Sequence, residues 1–513
     1  MKYIVNISFF FALCNDDIYS IHSYNCMVHR LTFNNIKIVL INKPFLSALL
    51  LGVVSALSFA PTNNLITLIF GFVGFLWLFD KNANTMKQSF FLFFLYIYAY
   101  YAASLYWVSL SVIPVGQWYL APVGMLFFPL LFCLPSSWVG PVLFKTKKYT
   151  AFYPFIFALC LFINEWMIGH YLLTGFPWVL TAYAWDEWGM QLAAYVGVYG
   201  VSLITLFWLA LLYKPNAKKG FTAFILFLLI SCFGHLRYMH TSLRFTDTIV
   251  RIVHPNLAQK DKQNRDRTYQ NFYCHQDLSQ KQSKKPINLI VWPEAAVLLA
   301  ANTQASWLNA LKSIAPDNGY AIIGAPRLEN HNNEPILYTS AYILNQMNLI
   351  DTYDKIHLVP FGEYLPYRSI LSRLGAEKLT QGAHDFTPAK ERALYKLDNI
   401  PPFSILICYE ILFPGEVLNT VGKDSPEWLL NITNDAWYLN SSGPYQHLHI
   451  ARWRAVEEGI PIVRCTNKGV SCVIDNVGRV LKSLGCNVQG VLDVKLPKPL
   501  KDRTFYSKHR WFS

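Results

Sequence analysis

Two patterns of apolar and polar positions divide the chain near residue 240. Before it, apolar runs of 17 to 25 residues recur, broken by short polar loops. After it, apolar runs are short and charges frequent. The first pattern predicts membrane helices, which need roughly 20 apolar residues to cross the hydrocarbon core. Seven spans are expected, at about 44–60, 64–80, 89–111, 118–144, 151–167, 191–213 and 221–239. The second pattern predicts strands at "DTIVRIVHP", "INLIVWPEAA", "YAIIGAP", "YTSAYILN", "FSILICYE", "EWLLNITNDAW", "IPIVRCTNKG" and "SCVIDNVG". Several are apolar throughout, as strands covered on both faces are. Helical stretches at 303–314 and 446–458 separate some of them. The expected fold is a polytopic α-helical membrane domain followed by an α/β domain. Its boundaries are a poorly patterned N-terminal extension (1–36), a transmembrane domain (37–243), a second domain (244–499) and a C-terminal tail (500–513).

Loop charge orients the spans. Lys37 and Lys43, Lys81 and Lys87, Lys145 with Lys147 and Lys148, and Lys214 with Lys218 and Lys219 fall in alternate loops. The loops between, "PTNN" (61–64) and "PVGQW" (114–118), carry neither Lys nor Arg. The positive-inside rule then places the N-terminus in the cytoplasm, and seven crossings place everything after 240 outside. The loop "LLTGFPWVLTAYAWDEWG" (172–189) is too aromatic for an ordinary connector. It reads as an interfacial aromatic belt or as a wall beside a lipid path.

Composition agrees with a mixed architecture: 513 residues, 53% hydrophobic and 16% aromatic. The net charge of +13 does not point to nucleic acid. Many of the cations sit in short loops between apolar runs, and no basic run is interleaved with aromatics. The ten cysteines include no C-x-x-C pair, so zinc is not expected. A Cys465–Cys472 disulfide is conceivable but not favoured.

Polar groups cluster where strands end. Glu294 follows the strand at 288–292, Lys355 the hairpin around 340–353, Cys408 the strand at 404–407, and Asn434 and Asp435 the strand at 428–433. Such positions, on turns above a buried sheet, are where α/β folds build sites. On its own Cys408 reads as core filler, half of a disulfide, a metal ligand or a nucleophile. A thiolate needs a base and a positive neighbour, and Glu294 and Lys355 are of the right types. His447 and His449 offer a Cys–His alternative, but their stretch reads as a helix packed beside the site. His357 reads as structural.

The order Glu, Lys, Cys resembles the nitrilase superfamily. The strings "WPEAA", "YDKIHLVPFGEYLP", "ICYEILFP", "NITNDAWY", "GPYQHLHIARWRAVEEGIPIVRCTNKGVS" and "IDNVG", with "SFAP" and "TGFPW" nearer the N-terminus, narrow this. Over about residues 40 to 510 they resemble the apolipoprotein N-acyltransferase family. The resemblance implies an αββα sandwich in the second half and a bacterial inner-membrane enzyme with its catalytic domain in the periplasm. It implies Cys408 as nucleophile, Glu294 as general base and acid, and Lys355 as oxyanion-stabilising ammonium. Glu363 would be a second carboxylate tuning lysine and thiol, with Tyr409 and Glu410 beside the nucleophile. No cofactor or metal is implied. The implied partners are a phospholipid acyl donor, expected to be phosphatidylethanolamine, diacylated apolipoproteins and membrane lipid, with no nucleic acid. Loops near 360–372 and 412–424 are candidate lids. Two departures stand out: "KLPKPLKDRTFYSKHRWFS" lacks the family's usual last membrane helix, and "HPNLAQKDKQNRD" (254–266) lacks a tryptophan the family often carries there. A membrane-tethered nitrilase-like amidase or hydrolase, passing the acyl group to water, is the alternative.

Overall fold

The structure, a computed structural model, describes residues 42–149, 151–331, 334–375, 378, 384–418 and 425–510. The predicted N-terminal extension and part of the 412–424 loop lie outside them.

Among the described residues, six helical stretches are long and apolar enough to cross a membrane, against the seven expected: Leu65–Asn82, Met86–Val112, Trp118–Ser136, Tyr153–Thr174, Gly189–Leu211 and Ala217–His240. The first expected span is a shorter helix, α1 (Pro44–Ala56). It stops because Ser58 turns back onto the Ser55 carbonyl (2.7 Å), ahead of Pro61. It packs on α3 (Met86–Leu105), with α2 (Leu65–Asn82) alongside. Gly52 permits that approach, since a Cβ there would lie 2.2 Å from the Tyr96 carbonyl oxygen. The expected span 118–144 is three short helices, α4 (Ala121–Phe127), α5 (Leu130–Ser136) and α6 (Val139–Thr146). Pro129, which lacks an N–H and crowds the preceding turn, stands between α4 and α5, and Pro135 lies in the last turn of α5. The bundle is completed by α7 (Tyr153–Tyr171), α8 (Ala193–Leu211) and α9 (Ala217–His240). The last shows Phe221, Phe224, Leu229 and Leu236 to its surroundings. A row of this kind suits lipid rather than water. The chain is a multi-pass membrane protein.

The two ends of the bundle differ. At one, Asp80 gathers Lys214 (2.6 Å) and Lys147 (3.9 Å), so three lysine-bearing loops meet. The other end carries the aromatic loop 172–189 and meets the second half of the chain. There Glu165 accepts the Thr181 N–H (3.1 Å) and hydroxyl, pinning the loop to α7.

The second half begins at β1 (Phe245–His254) and holds two six-stranded sheets. The first runs in the order β12-β1-β2-β3-β4-β5, with β2 (Leu289–Val291), β3 (Tyr320–His331), β4 (Glu334–Leu344), β5 (Leu349–Asp354) and β12 (Gly490–Pro497). The second runs β11-β10-β9-β8-β7-β6, with β6 (Tyr395–Leu397), β7 (Ile400–Ile407), β8 (Trp428–Thr433), β9 (Ile462–Thr466), β10 (Ser471–Ile474) and β11 (Val480–Leu484). The central strands β1, β2, β3 and β7, β8, β9 are parallel. Side chains alternate across each strand. Ile405 and Ile407 therefore join Leu289, Val291 and Ile343 between the sheets, while Leu406 points the other way. The outer face of the first sheet is covered by α11 (Thr268–Ser279) and α12 (Ala305–Lys312), through Phe272, Leu278, Trp307 and Leu311. The outer face of the second is covered by α13 (Gly443–Glu458). Its core, with Leu406, Leu429, Ile450 and Trp453, is continuous with that of the membrane helices. The expected αββα sandwich is present, and one of its outer layers merges with the bundle.

The halves are also joined by polar contacts. A left-handed kink at Gly197 (φ 67°) breaks α8 and leaves the Val198 N–H without a helical acceptor. Glu457 of α13 accepts it at 2.6 Å. The tail helix α14 (Phe505–His509) packs in the same place, Tyr506 against Gly197 and Ser507 donating to Glu458 (2.6 Å).

Candidate active site

The parallel strands converge so that β2, β7 and β8 deliver Glu294, Cys408 and Asp435 to one edge, and β5 delivers Lys355. All four side chains are buried. Cys408 opens a tight turn, Cys408–Leu412, with φ of 51°. That left-handed conformation is costly for a residue with a Cβ and turns the chain sharply at the strand end.

Lys355 is the hub. Its Nζ donates to Glu294 Oε1 at 3.1 Å and lies 3.0 and 2.9 Å from the two oxygens of Glu363. Burial works against its charge, but Glu294 and Glu363 outweigh burial and raise the ammonium above the ordinary lysine range. Glu363 is fixed in turn by the Thr339 hydroxyl and the Val359 N–H, both at 2.8 Å. Glu294 is different: among the described residues its carboxylate is engaged by Lys355 through one oxygen. The Cys408 thiol is raised first by burial and then by Glu294, while Lys355 pulls it down. At rest the thiol is therefore protonated, with a carboxylate and an ammonium beside it.

Glu410 lies beside Cys408 in sequence but is turned away to hold backbone. It accepts from Ile407 N (2.6 Å), Ile356 N (2.8 Å) and Tyr353 OH (2.7 Å), with Arg392 3.6 Å away. One carboxylate thus ties the residue before Cys408 to the residue after Lys355. Tyr409 points to the membrane half, its hydroxyl donating to the Gly175 carbonyl at 2.8 Å. The TGFPW loop accordingly packs on the residue next to Cys408. Trp107, Trp178 and Tyr438 form an aromatic group beside it, with Trp107 centred 4.6 and 4.5 Å from the other two. Gln446 accepts from both tryptophans, at 3.0 and 2.8 Å.

Of the histidines, His357 stacks on Phe413 and pairs with Glu416, and His449 accepts from Trp453. His447 sits closer to the site than the sequence suggested. Its Nδ1 donates to Asp435 (2.8 Å) and its Nε2 lies 3.3 Å from the Cys408 carbonyl. Burial and Arg464 lower its pKa, so it is neutral, whereas Arg464 and His447 overcome burial to keep Asp435 ionised. His447 touches the backbone of Cys408 rather than serving its thiol. Sequence reasoning missed Arg392 and Lys262, both buried. Each stands in a stretch whose other charges read as solvent-exposed, and nothing local marks it out.

The site is thus a buried carboxylate, ammonium and thiol at the strand ends of a nitrilase-like sandwich. The Carbon-nitrogen hydrolase family profile matches residues 260–501, and that of the Apolipoprotein N-acyltransferase N-terminal domain matches residues 51–211. A protein of Rhodopseudomonas palustris described as "Apolipoprotein N-acyltransferase" is 32% identical over 493 residues, covering 90% of each chain. Another so described, from Rickettsia typhi, is 33% identical over 470 residues, 88% of this chain and 92% of its own. The chain belongs to the apolipoprotein N-acyltransferase family and is an acyltransferase.

Proposed function

We propose that the protein transfers the sn-1 acyl chain of a phospholipid, with phosphatidylethanolamine as the expected donor, to the α-amine of a diacylglyceryl-cysteine at a lipoprotein N-terminus. The observation that carries this reading is that Lys355 engages one oxygen of Glu294, with both groups acting electrostatically on the Cys408 thiol. Glu294 takes the Cys408 proton as sulfur attacks the ester carbonyl. Lys355, with the backbone N–H after Cys408, stabilises the tetrahedral oxyanion. The C–O bond then breaks, and Glu294 returns the proton to the departing lysophospholipid alkoxide. A thioester remains on Cys408. The lipoprotein amine attacks it, Glu294 accepts the amine proton, and the expelled thiolate recovers that proton as the amide forms. The amide is more stable than the ester consumed, so the exchange runs without ATP.

The placement follows from the two ends of the bundle. Lysine loops face the cytoplasm, so the opposite end, with the catalytic half, faces the outer leaflet of the inner membrane. The Trp107, Trp178 and Tyr438 group would then line the acyl path and exclude water from the thioester.

The test uses full-length protein in detergent with a phospholipid labelled on its sn-1 chain. Intact mass should show one acyl adduct that is absent in Cys408→Ser, labile to neutral hydroxylamine and discharged to amide by a diacylated lipopeptide. Discharge by water alone would make the protein a hydrolase. Absence of any adduct would reject the thioester route.

A further inference from the structure

The segment 254–266, which the sequence left without a role, carries a buried lysine. Lys262 lies on the short helix α10 (Gln259–Gln263) and is 3% exposed. The segment is held against the strand ends of the site. Leu257 N donates to Asn467 Oδ1 (3.1 Å), Asn467 to Asn434 (2.9 Å), and Asn434 to Gln259 Oε1 (2.8 Å). From this platform the Lys262 ammonium donates to the backbone carbonyl of Glu294 at 2.7 Å. That carbonyl precedes Ala295, itself left-handed at φ 44°, so the lysine braces a strained turn.

A neutral carbonyl is a poor partner for a buried ammonium, and its counter-charge must come from nearby. The groups that act on its charge are Glu294 and Cys408. His275, packed on the same side, is lowered to about 4 by burial and is neutral, and Asp261 is engaged by Arg267 (2.8 Å). Charge balance explains the arrangement. Lys355 alone faces two carboxylates, Glu294 and Glu363, which leaves the set one unit negative. Lys262 returns it to neutrality. The balance also holds after proton transfer, when Glu294 is neutral and Cys408 is a thiolate. Without Lys262 that thiolate would form beside Glu363 with Lys355 left to offset both, since Arg464 is already paired with Asp435 (2.8 Å). Burial draws the lysine down to about 8, so it is charged at neutral pH.

We propose that Lys262 is a positioning residue of the acyl-transfer site. It fixes the Glu294 turn and supplies the second positive charge that allows Cys408 to become a thiolate. This rests on Cys408 being the nucleophile.

The test measures alkylation of Cys408 by iodoacetamide in the full-length protein in detergent, across pH, by mass of the Cys408 peptide. Groups facing the thiol are Glu294, Lys355, Asp435, Tyr438 and Lys262. Lys262→Gln keeps a donor for the Glu294 carbonyl and removes the charge. Its profile should move up by about one pH unit, with a roughly tenfold slower rate at neutral pH. Lys262→Arg should stay near wild type. In Lys262→Gln/Glu363→Gln, where the charge count is restored, the profile should move back. A profile unchanged in Lys262→Gln, or one shifted equally by Arg and Gln and not moved back by Glu363→Gln, overturns the proposal. If Lys262→Gln fails to fold, the Glu363→Gln single variant tests the same balance, and its profile should move down. A wild-type Cys408 that is not alkylated at any pH would instead reject the nucleophile on which the proposal rests.

Discussion

Two clusters of buried charge can be set side by side. One surrounds Lys355 at the strand ends. The other, Arg454, Glu457 and Glu458, lies where α13 meets the kink of α8 and the tail helix. In the second cluster Glu457 pairs with Arg454 (2.7 Å) and accepts the Val198 N–H, and Glu458 accepts from Ser507, so the charges join the catalytic half, the bundle and the tail. In the first, Lys355 holds Glu294 through one oxygen and Glu363 through both, and Glu294 and Lys355 act on the Cys408 thiol with opposite sign. Burial raises the cost of charge in both places. What differs is what the carboxylates hold: in the second cluster backbone and side chains from three parts of the chain, in the first the ammonium of Lys355.

The sharpest way to break the comparison is Cys408→Ala, which should abolish the acyl adduct altogether while leaving thermal unfolding near wild type. Lys355→Met comes next. It strands two carboxylates, so the acyl-transfer rate should fall by about 10²–10³-fold. Unfolding should also come earlier, by about 3–5 kcal/mol, since one partner of a buried pair is removed. Glu457→Ala should do the reverse. The Val198 N–H and Arg454 lose their acceptor, costing roughly 1–3 kcal/mol in detergent melts, with the Cys408 alkylation profile unmoved.

The smallest expected effect is on pH dependence. Burial lifts Glu457 to about 7 in the folded protein, against an unfolded value near 4.5. The folded state then binds more protons between those values, so this contribution to stability is greatest below about pH 4.5 and declines as pH rises towards 7. Asp435 acts oppositely: its pKa is held down, so its contribution is present above the ordinary carboxylate range and is lost as pH falls. Melting temperatures of wild type and Glu457→Gln should therefore lie closest at pH 5 and separate towards pH 7, the wild type falling relative to the variant.

The sequence made the two regions legible to different depths. Apolar run length located the bundle, because lipid demands it. It overran at α1, where serine back-bonding ends the helix, and did not foresee the breaks within the 118–144 stretch. Strand alternation and the residues after each strand led to Glu294, Lys355 and Cys408, because a turn above a sheet has few other uses for buried charge, and the family resemblance added Glu363. Glu410 was found by its place next to Cys408, but its hold on Ile407 and Ile356 depends on folded geometry. Lys262, Arg392 and the contact of His447 with the Cys408 carbonyl were not legible. A lysine in "QKDKQNRDR" shows nothing of its burial until the strands that cover it are assembled.

The shared core has a practical meaning for anyone cutting this chain in two. Leu406, Leu429, Ile450 and Trp453 belong to the same apolar cluster as the membrane helices. A fragment beginning at β1 would present that surface to water, together with the carboxylate of Glu457 and the empty seat of the TGFPW loop on Tyr409. Such a fragment should be recovered as aggregate, or dissolve only with detergent. For this enzyme the bilayer half is scaffolding that completes the catalytic half, in addition to being its anchor.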